Sequence, residues 1–122
     1  MNTQFQIVDH GNDFRDLVYA GENQLKANDV VLELKGEILQ SPTRESIQLG
    51  PNQHIFDKTG QFINHACNPT CKIVGRTVVV IDKLSKGDSV TFDYNSNEDV
   101  VSFPFYCNCH HKLISGKLSN KN

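Results

Sequence analysis

Four cysteines fall into two tight pairs, Cys67 with Cys71 and Cys107 with Cys109, and histidines flank both: His65 before the first pair, His110 and His111 after the second. Thiolate sulfur and imidazole nitrogen are the donors that zinc takes at tetrahedral sites, so paired thiols read as metal ligands. Two crossed disulfides are the alternative, disfavoured where no export leader precedes the chain. The stretch Phe62-Ile63-Asn64-His65-Ala66-Cys67-Asn68-Pro69-Thr70-Cys71 gathers an amide, an imidazole, two thiols and a proline. That mixture suits a ligand-lined loop better than a strand or helix interior. A hydrolase built from Cys67 or Cys71 with His65 is disfavoured, because neighbours in one loop rarely face each other as nucleophile and base.

The elements that must position these groups are short. Phe5-Gln6-Ile7-Val8 and Leu17-Val18-Tyr19-Ala20 read as strands, each followed by turn residues, with His10 in the first of those turns. Leu25-Lys26-Ala27-Asn28-Asp29-Val30-Val31 and Leu84-Ser85-Lys86-Gly87-Asp88-Ser89-Val90 share one pattern, a polar turn that launches a strand. The strands so launched are predicted over 30–34 and 89–94, the second alternating so that Phe92 and Tyr94 share a face. Further β-prone runs are Glu37-Ile38-Leu39, Ser46-Ile47-Gln48-Leu49, Gln53-His54-Ile55-Phe56 and Thr77-Val78-Val79-Val80-Ile81. The last is nearly all apolar and should be the most buried, while His54 reads as a packed or surface strand residue. The fold class predicted is mostly β, without a long helix.

With 122 residues the chain suits one domain with a modest core. A net charge of -2 with mixed signs gives no basic field for direct nucleic-acid binding. There is no apolar run of about 18 residues and no charged-then-apolar leader, so neither a membrane span nor a secretory signal is expected and the location predicted is intracellular.

Asn64-His65-Ala66-Cys67-Asn68-Pro69-Thr70-Cys71, followed by Gly87-Asp88-Ser89-Val90-Thr91-Phe92-Asp93-Tyr94 and then by Cys107-Asn108-Cys109, resembles the SET-domain protein lysine methyltransferases. That family shows an Asn-His-Ser-Cys-x-Pro-Asn-Cys-like loop, a Gly-Glu-Glu-Leu-Thr-Phe-Asp-Tyr-like strand and a Cys-x-Cys tail in this order. Weaker likeness covers 26–39, and 40–59 matches poorly. The small size is similar to bacterial or viral members. The resemblance implies small curved β-sheets with a C-terminal threaded (pseudoknot) segment. It divides the chain into a SET domain over 1–102 and a post-SET-like Cys-rich tail over 103–118, and the polar residues 119–122 are expected to form a disordered tail.

It further implies S-adenosylmethionine as the methyl donor and the side-chain amine of a lysine in a protein or peptide tail as acceptor. Asn64 and His65 would meet the cofactor, His65 largely through its main chain, with Phe62 in the surrounding wall. Arg15 and Leu17 stand where the family carries two glycines near the cofactor. Tyr94 would be the catalytic residue; its phenol, of pKa about 10, is too weak a base at neutral pH and would orient the amine. Phe92 occupies the position that limits methyl number, and a Phe there, lacking a hydroxyl to hold a water, implies di- or trimethylation. Tyr106 and Phe103 would wall the substrate channel. Cys67, Cys107 and Cys109 would hold one zinc. The third tail cysteine is replaced by Ile114, which leaves His110 or His111 as fourth ligand. The alternative reading is a catalytically impaired peptide-binding module of the same fold. A partner subunit could complete the groove of so small a domain, and a chromatin target would make the location nuclear rather than cytoplasmic.

Overall fold

The structure, a computed structural model, describes residues 4–11, 14–43, 45–101, 104–107 and 111–117. Among the described residues the strands form six small sheets of two or three strands each. The N-terminal hairpin joins β1 (Phe5–Asp9) to β2 (Arg15–Tyr19) in antiparallel register. Its turn closes where the Asp9 carboxylate accepts the Gly11 N–H at 2.8 Å. β2 faces the core with Leu17 and Tyr19 fully buried, and Phe5 of β1 packs against them.

The central sheet orders β4 (Val30–Glu33), β10 (Thr77–Val80) and β9 (Cys71–Val74). The run of valines in β10 lies in the middle, and Val78 and Val80 are fully buried, as continuous apolar character predicts for a strand covered on both faces. A second sheet orders β5 (Glu37–Leu39), β7 (Gln53–Phe56) and β6 (Ile47–Gly50). His54 is buried in β7, where burial lowers its pKa against the pull of Asp99.

The two echoing segments turn out to be neighbours. The short β3 (Leu25–Lys26) pairs antiparallel with β11 (Lys83–Leu84), and Leu25 faces Leu84. In each following turn the residue before the aspartate is left-handed, Asn28 at φ 71° and Gly87 at φ 95°. The Asp29 and Asp88 carboxylates accept the N–H of Lys26 and Ser85, both at 2.8 Å. One turn chemistry thus serves twice, at the two corners of one two-stranded sheet.

The strand expected over 89–94 is shorter. Only Thr91–Phe92 forms β12, and Tyr94 opens a four-residue helix, α1 (Tyr94–Asn97). Asp93 causes the change: its side chain accepts the Asn95 N–H at 2.9 Å and the Ser96 hydroxyl at 2.9 Å, a helix N-cap that overrides the alternation. The buried run likewise ends at Val80, since Ile81 is 44% exposed. The tail adds β13 (Phe105–Tyr106) paired with β14 (Leu113–Ile114). Among the described residues no helix is long and apolar enough to cross a membrane.

Candidate active site

The loop and the distant motif meet edge to edge. β8 (Asn64–His65) pairs in parallel with β12, Asn64 opposite Thr91 and His65 opposite Phe92. Thr70 locks the other end of the loop: its hydroxyl donates to the Ser89 carbonyl at 2.8 Å, and its N–H reaches the Thr91 hydroxyl at 3.0 Å. Parallel neighbours require a long crossover, so this pairing joins residues that no hairpin could.

Over the pair opens a cleft of about 990 Å³ bordered by Arg15, Phe62, Asn64, His65, Phe92, Tyr94, Tyr106 and Cys107. Leu17 does not border it. That side chain is fully buried in the core, and its carbonyl accepts the Val90 N–H at 2.8 Å. Leu17 and Arg15 share one face of β2, but Leu17 lies deeper in the strand and packs into the core, while Arg15 at its start borders the cleft. The Arg15 carbonyl receives the Asn64 side-chain amide at 2.7 Å, which ties the loop to β2. Phe103 and Cys109 lie outside the described residues, as does His110.

Tyr94 stands at the floor of the cleft. Its hydroxyl donates to the Ile63 carbonyl at 2.7 Å, and its ring centroid is 4.8 Å from that of Phe92. Burial, reinforced by the negative charge of Glu98, pushes the phenol pKa far above 10, so it stays protonated at neutral pH. Two cleft residues escaped sequence reading. Phe105 meets both His65 and Tyr94 edge-on at 6.1 Å; among the aromatics of 103–106 nothing marked it out. Tyr106 beside it is 71% exposed and forms the outer rim. Glu98, in the polar run Asn95-Ser96-Asn97-Glu98-Asp99, is only 5% exposed. One of its oxygens accepts the Gln48 N–H at 2.8 Å and the Asn97 amide at 2.7 Å. Burial outweighs these donors and raises its pKa.

His65 divides between two surroundings. Its side chain is 2% exposed although the residue as a whole is half-buried, so the exposure belongs to its main chain. Nδ1 accepts the Tyr94 N–H at 3.1 Å, and Nε2 lies 3.3 Å from the Cys67 sulfur. The Cys67 and Cys107 sulfurs are 3.6 Å apart, well beyond the bond of about 2.0 Å of a disulfide. The three donor atoms all lie within 4.8 Å of one another. Zinc bonds of about 2.3 Å to sulfur and 2.0 Å to nitrogen give tetrahedral edges of about 3.5–3.8 Å, so this donor set fits such an ion. Cys71 stands apart in the core as a packed thiol, its pKa raised by burial. The tail's other candidate positions differ: Ile114 is fully buried, and His111 is exposed on a left-handed turn.

The small sheets without a closed barrel, joined by the parallel β8–β12 pair, make this a mostly β, SET-like fold. No family model matches the chain. It is similar to the histone-lysine N-methyltransferase, H3 lysine-36 specific, of Candida albicans, 39% identical over 70 residues, 48% of this chain and 8% of that protein. It is also similar to the protein of the same description in Gibberella zeae, 29% identical over an alignment of 131 residues, 82% of this chain and 14% of that protein. The chain thus spans a small part of the length of the curated relatives it matches. These likenesses agree with the SET-type resemblance of the motifs.

Proposed function

We propose that the protein transfers a methyl group from S-adenosylmethionine to the side-chain amine of a lysine in a protein or peptide. The observation that carries this reading is the Tyr94 hydroxyl, protonated and anchored to Ile63, beside Phe92 in a cleft that also exposes the His65 main chain. The cleft, at about 990 Å³, is large enough for a cofactor and a substrate side chain.

S-adenosylmethionine, when bound, supplies an activated methyl on a sulfonium. Asn64 and the His65 main chain are the groups for its polar parts, with Phe62 as apolar wall. The accepting amine must be neutral, since an ammonium has no lone pair, and the rings of Phe92 and Phe105 disfavour the charged form. Tyr94 orients that amine through its oxygen and, being protonated, does not serve as the base. Phe92 leaves room for a methylated amine to turn, so products beyond one methyl are expected. Cys67 and Cys107, with Cys109 from the tail, are the thiols for one structural zinc. Histone tails are the first substrates to try, because both relatives are named as H3 lysine-36 specific.

Tyr94→Phe keeps the ring and removes one hydrogen bond. Its expected result, with a lysine-rich peptide library as substrate, is cofactor affinity within about two-fold of wild type and turnover lower by at least about 100-fold. Turnover equal to wild type would remove Tyr94 from its role, and intact-mass spectra that stop at one methyl would count against the Phe92 argument. The second reading, a peptide-binding module without turnover, is favoured by Arg15 and buried Leu17 in place of two small residues. Cofactor binding with no methylation of any library member would favour it.

A further inference from the structure

We infer that the His65 imidazole is itself a metal ligand, through Nε2, filling the coordination position for which the tail has no third cysteine. The inference rests on the zinc part of the reading above and is independent of methyl transfer. Among the described residues, His65, Cys67 and Cys107 are the single group of three or more metal-binding side chains that converge. The imidazole is already held: its side chain is 2% exposed, its ring packs edge-on against Tyr94 at 5.4 Å, and the Tyr94 N–H fixes Nδ1 so that Nε2 points to the Cys67 sulfur. The positions that counting along the tail would offer are poorer. Ile114 carries no donor and is paired with Phe105 inside the fold. His111 is exposed, on a left-handed turn whose backbone N–H donates to the Cys107 carbonyl at 3.0 Å. With Cys67 and Cys107, the imidazole gives two sulfurs and one nitrogen, donors of the kind zinc accepts at structural sites.

A consequence follows for the residue proposed to act on substrate. A neutral imidazole that gives its Nε2 lone pair to a metal carries its proton on Nδ1. There it meets the Tyr94 N–H as a second donor, while the Asp93 carboxylate waits 3.6 Å away as an acceptor. Metal binding therefore exchanges the Nδ1 partner from Tyr94 to Asp93, the residue that also caps α1. The ring stays neutral throughout; its proton moves from Nε2 to Nδ1, and protons released by the ligating thiols go to solvent. The metal is thereby coupled to the peptide that starts α1 and carries Tyr94.

The test is zinc content and zinc-edge X-ray absorption of the full chain purified in reductant without a histidine tag. The expected wild-type result is close to one equivalent of zinc, with sulfur neighbours and the outer-shell scattering of one imidazole. His65→Ala should weaken zinc by more than about 100-fold in chelator competition, beyond what loss of an outer-shell partner costs, and erase the imidazole signal. His65→Cys should restore one equivalent with one more sulfur neighbour than wild type, which separates a lost ligand from a misfolded chain, and His111→Ala should change neither. Zinc without imidazole scattering, or zinc held as tightly in His65→Ala as in wild type, overturns the inference while the zinc reading stands. Less than a tenth of an equivalent in the folded wild type removes both.

Discussion

Tyr94 owes its position to the residue before it. The Asp93 cap turns the chain into α1 at the point where the strand would otherwise continue, and the phenol swings to the Ile63 carbonyl. Glu98, at the far end of α1, makes the clearest prediction at this scale. Its carboxyl is raised chiefly by burial and also by Asp99, against its hydrogen bonds from Gln48 and Asn97 and the charge of Lys117. A folded pKa above the ordinary 4.5 means that the folded chain binds this proton more readily than the unfolded one. The associated stability is complete below 4.5 and is lost as pH rises through the folded value. Glu98→Gln stays neutral at every pH and keeps an oxygen for the Gln48 N–H. Urea denaturation should therefore show its stability gain over wild type growing from acid to neutral pH, and a difference that does not vary with pH would contradict this. Asn64, His65, Cys67, Phe92 and Tyr94 were legible in the sequence because their types and order form a joint motif. Glu98 and Phe105 were not, because β6 and the tail decide their burial, and neither leaves a local mark.

At the scale of elements, one asparagine fastens the tail. The Asn95 side-chain oxygen accepts the N–H groups of Ser115 and Gly116 at 3.0 and 2.9 Å, and its nitrogen donates to the Leu113 carbonyl at 3.2 Å. Gly116 must be small here as well as left-handed: at φ 104°, an added Cβ would lie 2.5 Å from the Asp99 carbonyl oxygen. Since β14 holds β13, and β13 presents Phe105 to Tyr94, Asn95→Ala should loosen one wall of the cleft. The expected outcome is faster limited proteolysis in the tail and a stability loss of roughly 1–3 kcal/mol for three exchanged hydrogen bonds. A tail cleaved no faster than wild type would show that it is held by other contacts. Period-two patterning found most strands within a residue or two, and it found the twin turns at Asp29 and Asp88. It gave no hint of the parallel β8–β12 pair, because pairing across such a separation depends on packing rather than on local sequence. Alternation also failed at residue 93, where an aspartate stops the strand.

For the molecule as a whole, the sheets are too small to be stable singly, and all but the β13–β14 pair contribute side chains to one shared core or pack against it. The cleft lies where that core meets the loop and tail, so every wall comes from a different part of the chain. The resemblance of motifs supplied this architecture; composition and periodicity alone reached only a mostly β domain. A ligand that binds this assembled cleft stabilises the fold by mass action, about 2.7 kcal/mol at one hundred times its dissociation constant. Calorimetric titration of the wild-type chain with S-adenosylmethionine tests the central claim most directly. The account predicts saturable binding at one site per chain below millimolar cofactor, and the absence of binding at millimolar cofactor by the folded protein would contradict it.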